Sequence, residues 1–84
     1  MGTGKRITPA RLAEKLKAIR ENLGLTTERM VVELNCPSVP LHRASITQYE
    51  KGRREPPLVV LLQYARLYKT GVENLIDDDL NLSQ

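Results

Sequence analysis

Leu12, Leu16, Ile19 and Leu23 recur every three or four residues, the spacing that places apolar side chains on one face of a helix. Thr8-Pro9 ahead of them offers a hydroxyl cap and a proline for the first helical position, and Gly24 behind them offers a left-handed stop. A second helix is predicted over Met30, Val31 and Leu34, capped by Thr26 or Thr27. Its Val31-Val32 pair is poor in helix propensity, so packing must sustain it. Pro37 and Pro40 exclude regular helix between Asn35 and Leu41. The third helix is predicted from about His42 to Lys51, with Ile46 and Tyr49 facing inward and Arg43, Ala44, Thr47, Gln48 and Lys51 facing largely outward. Gly52 then marks its stop, and Arg53 and Arg54 follow as a basic hook. Pro56-Pro57 opens a fourth helix through Leu58, Leu61, Leu62, Ala65 and Tyr68; nearly apolar all round, it is expected to be the central buried helix. A short fifth helix fits Val72 to Asp77. The sequence shows no strand alternation and no internal repeat, so the fold class is all-α.

This pattern divides the chain into a flexible basic arm at 1–7, one domain at 8–79, and a tail at 80–84 that is loose unless Leu80 and Leu82 dock. The length of 84 residues suits one small domain. The single Cys36 cannot form an internal disulfide and is expected to be inert, its sharper alternative being a redox-sensitive loop thiol. Residues 1–6 lack the apolar segment of a signal peptide, and no apolar run approaches the roughly 20 residues of a membrane span. A cytoplasmic protein without a membrane partner is expected.

Charge sharpens the picture through its distribution more than through its total of +3. Lys5, Arg6, Arg11, Lys15, Lys17 and Arg20 stand against Glu14 alone, and Arg43, Lys51, Arg53 and Arg54 against Glu50 alone. Glu73, Asp77, Asp78 and Asp79 leave the C-terminal end acidic. A polyanion should meet the front of the molecule and be repelled by the end. A helix that presents small and polar groups between cations can enter the major groove of DNA. Enzymatic chemistry is not expected: no paired carboxylates, no His–Cys or His–Ser set and no phosphate-cradling glycine loop stand at a useful spacing. His42 has no partner cluster for a metal, and no cofactor is implied.

Two stretches resemble a known family. Leu16 to Thr26 (LKAIRENLGLT) is similar to the first helix and turn of the Cro/cI-type, or XRE, helix-turn-helix proteins. Ile46 to Pro56 (ITQYEKGRREP) is similar to their recognition helix with its Glu-x-Gly-x-Arg-x-Pro exit. The resemblance covers roughly residues 10–77 and implies a five-helix, lambda-repressor-like domain that binds double-stranded DNA. It implies that Arg43, Ala44 and Gln48 read bases, that Ser45 and Thr47 touch bases or phosphates, and that Thr26 and Thr27 meet a phosphate at the start of the second helix. Lys51, Arg53 and Arg54 match backbone-binding positions, and Arg20 and Glu50 match an ion pair bridging the first and third helices. It further implies a homodimer on a palindromic site, acting as a transcriptional repressor, with residues 72–82 as the candidate interface. The same fold also occurs in antitoxins and adaptor proteins, so a protein partner is the alternative function.

The chain departs from that family at several places. Asn35 stands where a turn glycine is usual, and Cys36–Pro40 are about five extra residues between the second and third helices, predicted to shift the recognition helix. His42 replaces a capping Ser or Thr, Thr27 a phosphate-clamping glutamine, and Pro57 a capping hydroxyl. Lys17 and Lys15 are expected either in solvent or at distal phosphates. Tyr64 and Tyr68 are expected as core and rim.

Overall fold

Leu12, Leu16 and Ile19 form the buried side of α1 (Leu12–Asn22). They meet Met30 and Leu34 of α2 (Thr27–Leu34), Ile46 and Tyr49 of α3 (Arg43–Glu50), Val60, Leu61, Tyr64 and Ala65 of α4 (Leu58–Leu67) and Leu75 of α5 (Glu73–Ile76) in one core. The structure is a computed structural model and describes residues 9–82, among which there is no strand. The arm at 1–7 and Thr8 lie outside the described residues, but α1 begins at Leu12 with Arg11 as its cap residue, so Pro9 is not its first helical position. α3 packs on both α2 and α1, α2 also on α4, and α5 on α1. No helix among the described residues is long and apolar enough to cross a membrane.

The ends of the central pair are set by local chemistry. The Thr26 hydroxyl caps α2 by accepting the Arg29 N–H at 3.0 Å. Asn35 ends α2 in the left-handed region (φ 45°), a conformation asparagine tolerates, and the Gln63 side chain donates to the Leu34 carbonyl at 3.0 Å. The extra residues then fold into a turn, Val39 N–H to Cys36 carbonyl at 3.1 Å, and Cys36, Val39 and Leu41 pack partly against the core. The insertion is therefore anchored by apolar side chains. Gly52 leaves α3 at φ 72°, which glycine alone adopts without a Cβ penalty. The Arg53 N–H then bonds the Gln48 carbonyl at 2.9 Å and fixes the direction of the hook.

Two expectations are corrected here. α4 is not buried on all sides: Leu58 is 80% exposed, and Val59 and Leu62 are exposed with it. Among the described residues that side stays exposed, so the helix's apolar composition reflects one core face and one open face. At the tail, the docking alternative holds for Leu82, and residues 80–82 are tied to α1. Lys15, only 3% exposed, sends its ammonium to the carbonyls of Asn74 (2.7 Å), Asp77 (2.9 Å) and Leu80 (2.7 Å). Arg11 donates to the Asp78 carbonyl at 2.8 Å and to Asn81 Oδ1 at 2.9 Å, and Leu82 packs against the core. The Asp78 carboxylate accepts the backbone N–H groups of Arg11 and Ala10, both at 2.9 Å, which holds its pKa below the usual carboxylate range. The folded unit thus runs through Leu82, and Lys15 is neither in solvent nor free for a distal phosphate.

Candidate nucleic-acid interface

Ile46 and Tyr49 are buried, and this fixes the rotation of α3 about its axis. Arg43, Ala44, Gln48 and Lys51 are left exposed on the opposite side. They line one concave surface with Thr47, with Thr27 from the start of α2, and with Arg53 from the hook. The Thr47 hydroxyl donates to the Arg43 carbonyl at 3.2 Å, one turn back along the same helix. Arg53 and Arg54 also border a second concavity, with Pro9, Ala10 and Ala13 at the start of α1. Arg53 therefore borders both concavities. Lys17 is exposed.

Ser45 does not reach this surface. It is 7% exposed and its hydroxyl accepts the His42 N–H at 3.3 Å, a reverse cap for the first turn of α3. A serine at the third position of a helix is well placed to bond back to the cap residue, and that role leaves it buried outside the α3 concavity. Thr26 is exposed at the α2 N-terminus but spends an oxygen lone pair on its own cap, outside the α3 concavity.

Behind the surface, Arg20 meets Glu50 in a two-point contact: Nε to Oε2 at 2.7 Å and Nη2 to Oε1 at 3.0 Å. Arg20 Nη1 also donates to the Leu25 carbonyl at 2.9 Å, so one guanidinium ties α1, the turn after it and α3. The hydrogen bond to Glu50 raises the Arg20 pKa above its ordinary value, against the opposing effect of burial. Both partners are thereby held away from the α3 concavity.

Glu28 is an addition that the chain pattern did not single out. Its carboxylate accepts from Arg43 Nη1 at 3.1 Å, across the turn between α2 and α3. An acid in the first turn of a helix already has a reason to be there in the helix dipole, which hides any second role. Only the packing of α2 against α3 shows that residues fifteen apart meet. Among the described residues, no three His, Cys, Asp or Glu side chains converge as a metal site would require.

A family described as the helix-turn-helix domain matches residues 11–77, most of the chain and all five helices. The chain belongs to the helix-turn-helix family. No curated protein sequence matches it. Among solved structures, the helix-turn-helix domain is similar to the P22 c2 repressor protein, whose crystal structure holds it in complex with the synthetic operator 9T in the presence of Tl+. The TM-score is 0.68 at 19% sequence identity, over 81% of this chain and 96% of that one. At that identity the likeness concerns the fold: this helix-turn-helix domain has the five-helix, lambda-repressor-like plan, extended by the Cys36–Pro40 loop between α2 and α3.

Proposed function

We propose that this chain is a sequence-specific DNA-binding transcriptional regulator, acting as a repressor, that places α3 in the major groove. The observation that carries the reading is the single concave surface on which Arg43, Ala44, Thr47, Gln48, Lys51 and Arg53 stand together over an anchored helix. In this reading Arg43 pairs with a guanine edge and Gln48 with an adenine edge, while Ala44 permits close approach or meets a thymine methyl. Lys51, Arg53 and Arg54 hold phosphates and fix register, with Thr27 and the α2 N-terminus at a further phosphate. The P22 c2 repressor, a protein of similar fold whose structure holds operator DNA, supports DNA binding by this fold. The protein acts without enzymatic chemistry, as a homodimer on a palindrome with half-sites about one helical turn apart. Ile76 at the end of α5 and Leu80 after it, both exposed, supply apolar side chains for that contact.

Selection of bound sequences from random DNA tests the reading. A palindrome is expected for the full chain. Arg43→Ala should change preference at one base pair by about 1–3 kcal/mol, whereas Arg53→Ala should weaken all sequences alike and reduce the salt slope. A selected site unaltered by Arg43→Ala would overturn the placement of α3. The second reading is a protein-interaction module of antitoxin or adaptor type, favoured by the exposed Leu58, Val59 and Leu62 on α4. A stoichiometric protein partner with no enriched DNA site would support it.

A further inference from the structure

The Glu28–Arg43 pair is unexpected on energetic grounds. Both side chains are exposed, at 68% and 72%, and an exposed ion pair contributes little to stability. Glu28 also brings a negative charge to the edge of a surface that carries Arg43, Lys51 and Arg53. That charge weakens attraction to any polyanion, whatever its sequence.

What the pair does accomplish is geometric. Arg43 sits at the first position of α3, and its long side chain is otherwise free to swing toward phosphate or toward base. Glu28 projects from α2, whose position is fixed by the buried Met30 and Leu34 and by the Thr26 cap. It holds one edge of the guanidinium, Nη1, at 3.1 Å. The other N–H groups of the planar fork stay available, enough for a two-point contact with guanine O6 and N7. A carboxylate beside the fork also repels anionic phosphate oxygens more strongly than the neutral acceptors of a guanine edge.

We propose that Glu28 is a specificity-determining positioning residue: it orients Arg43 toward a guanine edge and lowers affinity for non-specific DNA. This rests on the proposed reading of DNA by α3 and names a residue of α2 as part of that reading. Its two effects act in the same direction, since each raises the ratio of specific to non-specific binding.

The test compares wild type, Glu28→Ala, Arg43→Ala and the double variant, each as the full chain at one salt concentration. Binding is measured to the site selected by wild type, to its single-base variants and to scrambled DNA of equal length. Glu28→Ala should bind scrambled DNA more tightly, and its specificity ratio should fall on the order of fivefold. The lost preference should be confined to the base pair whose preference Arg43→Ala also loses. At that pair the double variant should be no more relaxed than Arg43→Ala alone. An equal gain in affinity for selected and scrambled DNA, with every base preference intact, would show Glu28 to be a repelling charge only. If Arg43→Ala itself leaves all base preferences intact, the DNA reading by α3 fails and the role of Glu28 fails with it.

Discussion

Tyr64 is wholly buried in α4, and its hydroxyl has no hydrogen-bond partner among the described residues. Burial pushes its pKa up, reinforced by the nearby Glu50 carboxylate, so the group stays a neutral phenol. A buried hydroxyl without a partner costs free energy that a phenyl ring of almost the same shape does not. Tyr64→Phe is therefore expected to stabilise the protein by about 1 kcal/mol, a rise in thermal midpoint of about 5 °C. A fall of similar size in calorimetry would show that the hydroxyl is bonded in solution. At this scale the sequence was informative about which residues leave the core and less so about what each does next. The spacing of Ile46 and Tyr49 settles which way Arg43 and Gln48 point. It does not reveal that Ser45 turns inward to cap its own helix, because a one-residue shift around a helix of eight residues is decided by a 3.3 Å contact. Nor does it reveal Glu28, whose partner lies across a turn.

Helices are positioned here by contacts that cross between them. Glu50 and Arg20 hold α3 against α1, and the Glu50 side chain is 7% exposed. Removing one partner strands the other charge in a largely dry place. Glu50→Ala should cost about 3 kcal/mol, the lower end of the range for a buried pair because Arg20 keeps its bond to the Leu25 carbonyl and some exposure. Chemical denaturation measures this, and a loss under about 1 kcal/mol would place the pair with ordinary surface bridges. Element existence and order were legible from periodicity, proline and glycine, since those signals are local. The Thr26 cap was legible for the same reason. The open face of α4 was not, because an apolar surface reads alike whether one side or both are covered. The extra loop was visible as an insertion, but its anchoring by Val39 and Leu41 needs the neighbouring helices.

Across the whole molecule, charge in the sequence was a guide that partly misled. Arg11 and Lys15 counted toward a cationic front, yet both turn to the acidic C-terminal segment and bind its backbone. The two charge blocks, read apart, suggested a dipole between opposite ends of the protein. In the fold they are neighbours, and α5 packs on α1. Among the described residues, what remains of that cationic front is narrower: α3, the hook at Arg53 and Arg54, and the exposed Lys17. Such a surface suits a polyanion along α3 better than a diffuse one over α1.

The Lys15 ammonium among three carbonyls has a consequence in time. Its partners lie 59 to 65 residues away in sequence, so these bonds close a loop spanning most of the chain. Loop closure of that length is entropically costly, and the contacts between α2, α3 and α4 span far shorter distances. The clamp should therefore form after the rate-limiting barrier to folding has been crossed. Lys15→Met keeps the apolar stem and removes the three bonds, worth about 2 kcal/mol together. That loss should appear almost wholly as faster unfolding, by about thirtyfold, with the refolding arm of the chevron unmoved. Slower refolding of comparable size in stopped-flow measurements would instead put the meeting of the two ends early. In the expected order, α3 is packed on α1 and α2 first, and the segment from Asn74 to Leu80 acts as the latch that keeps it there.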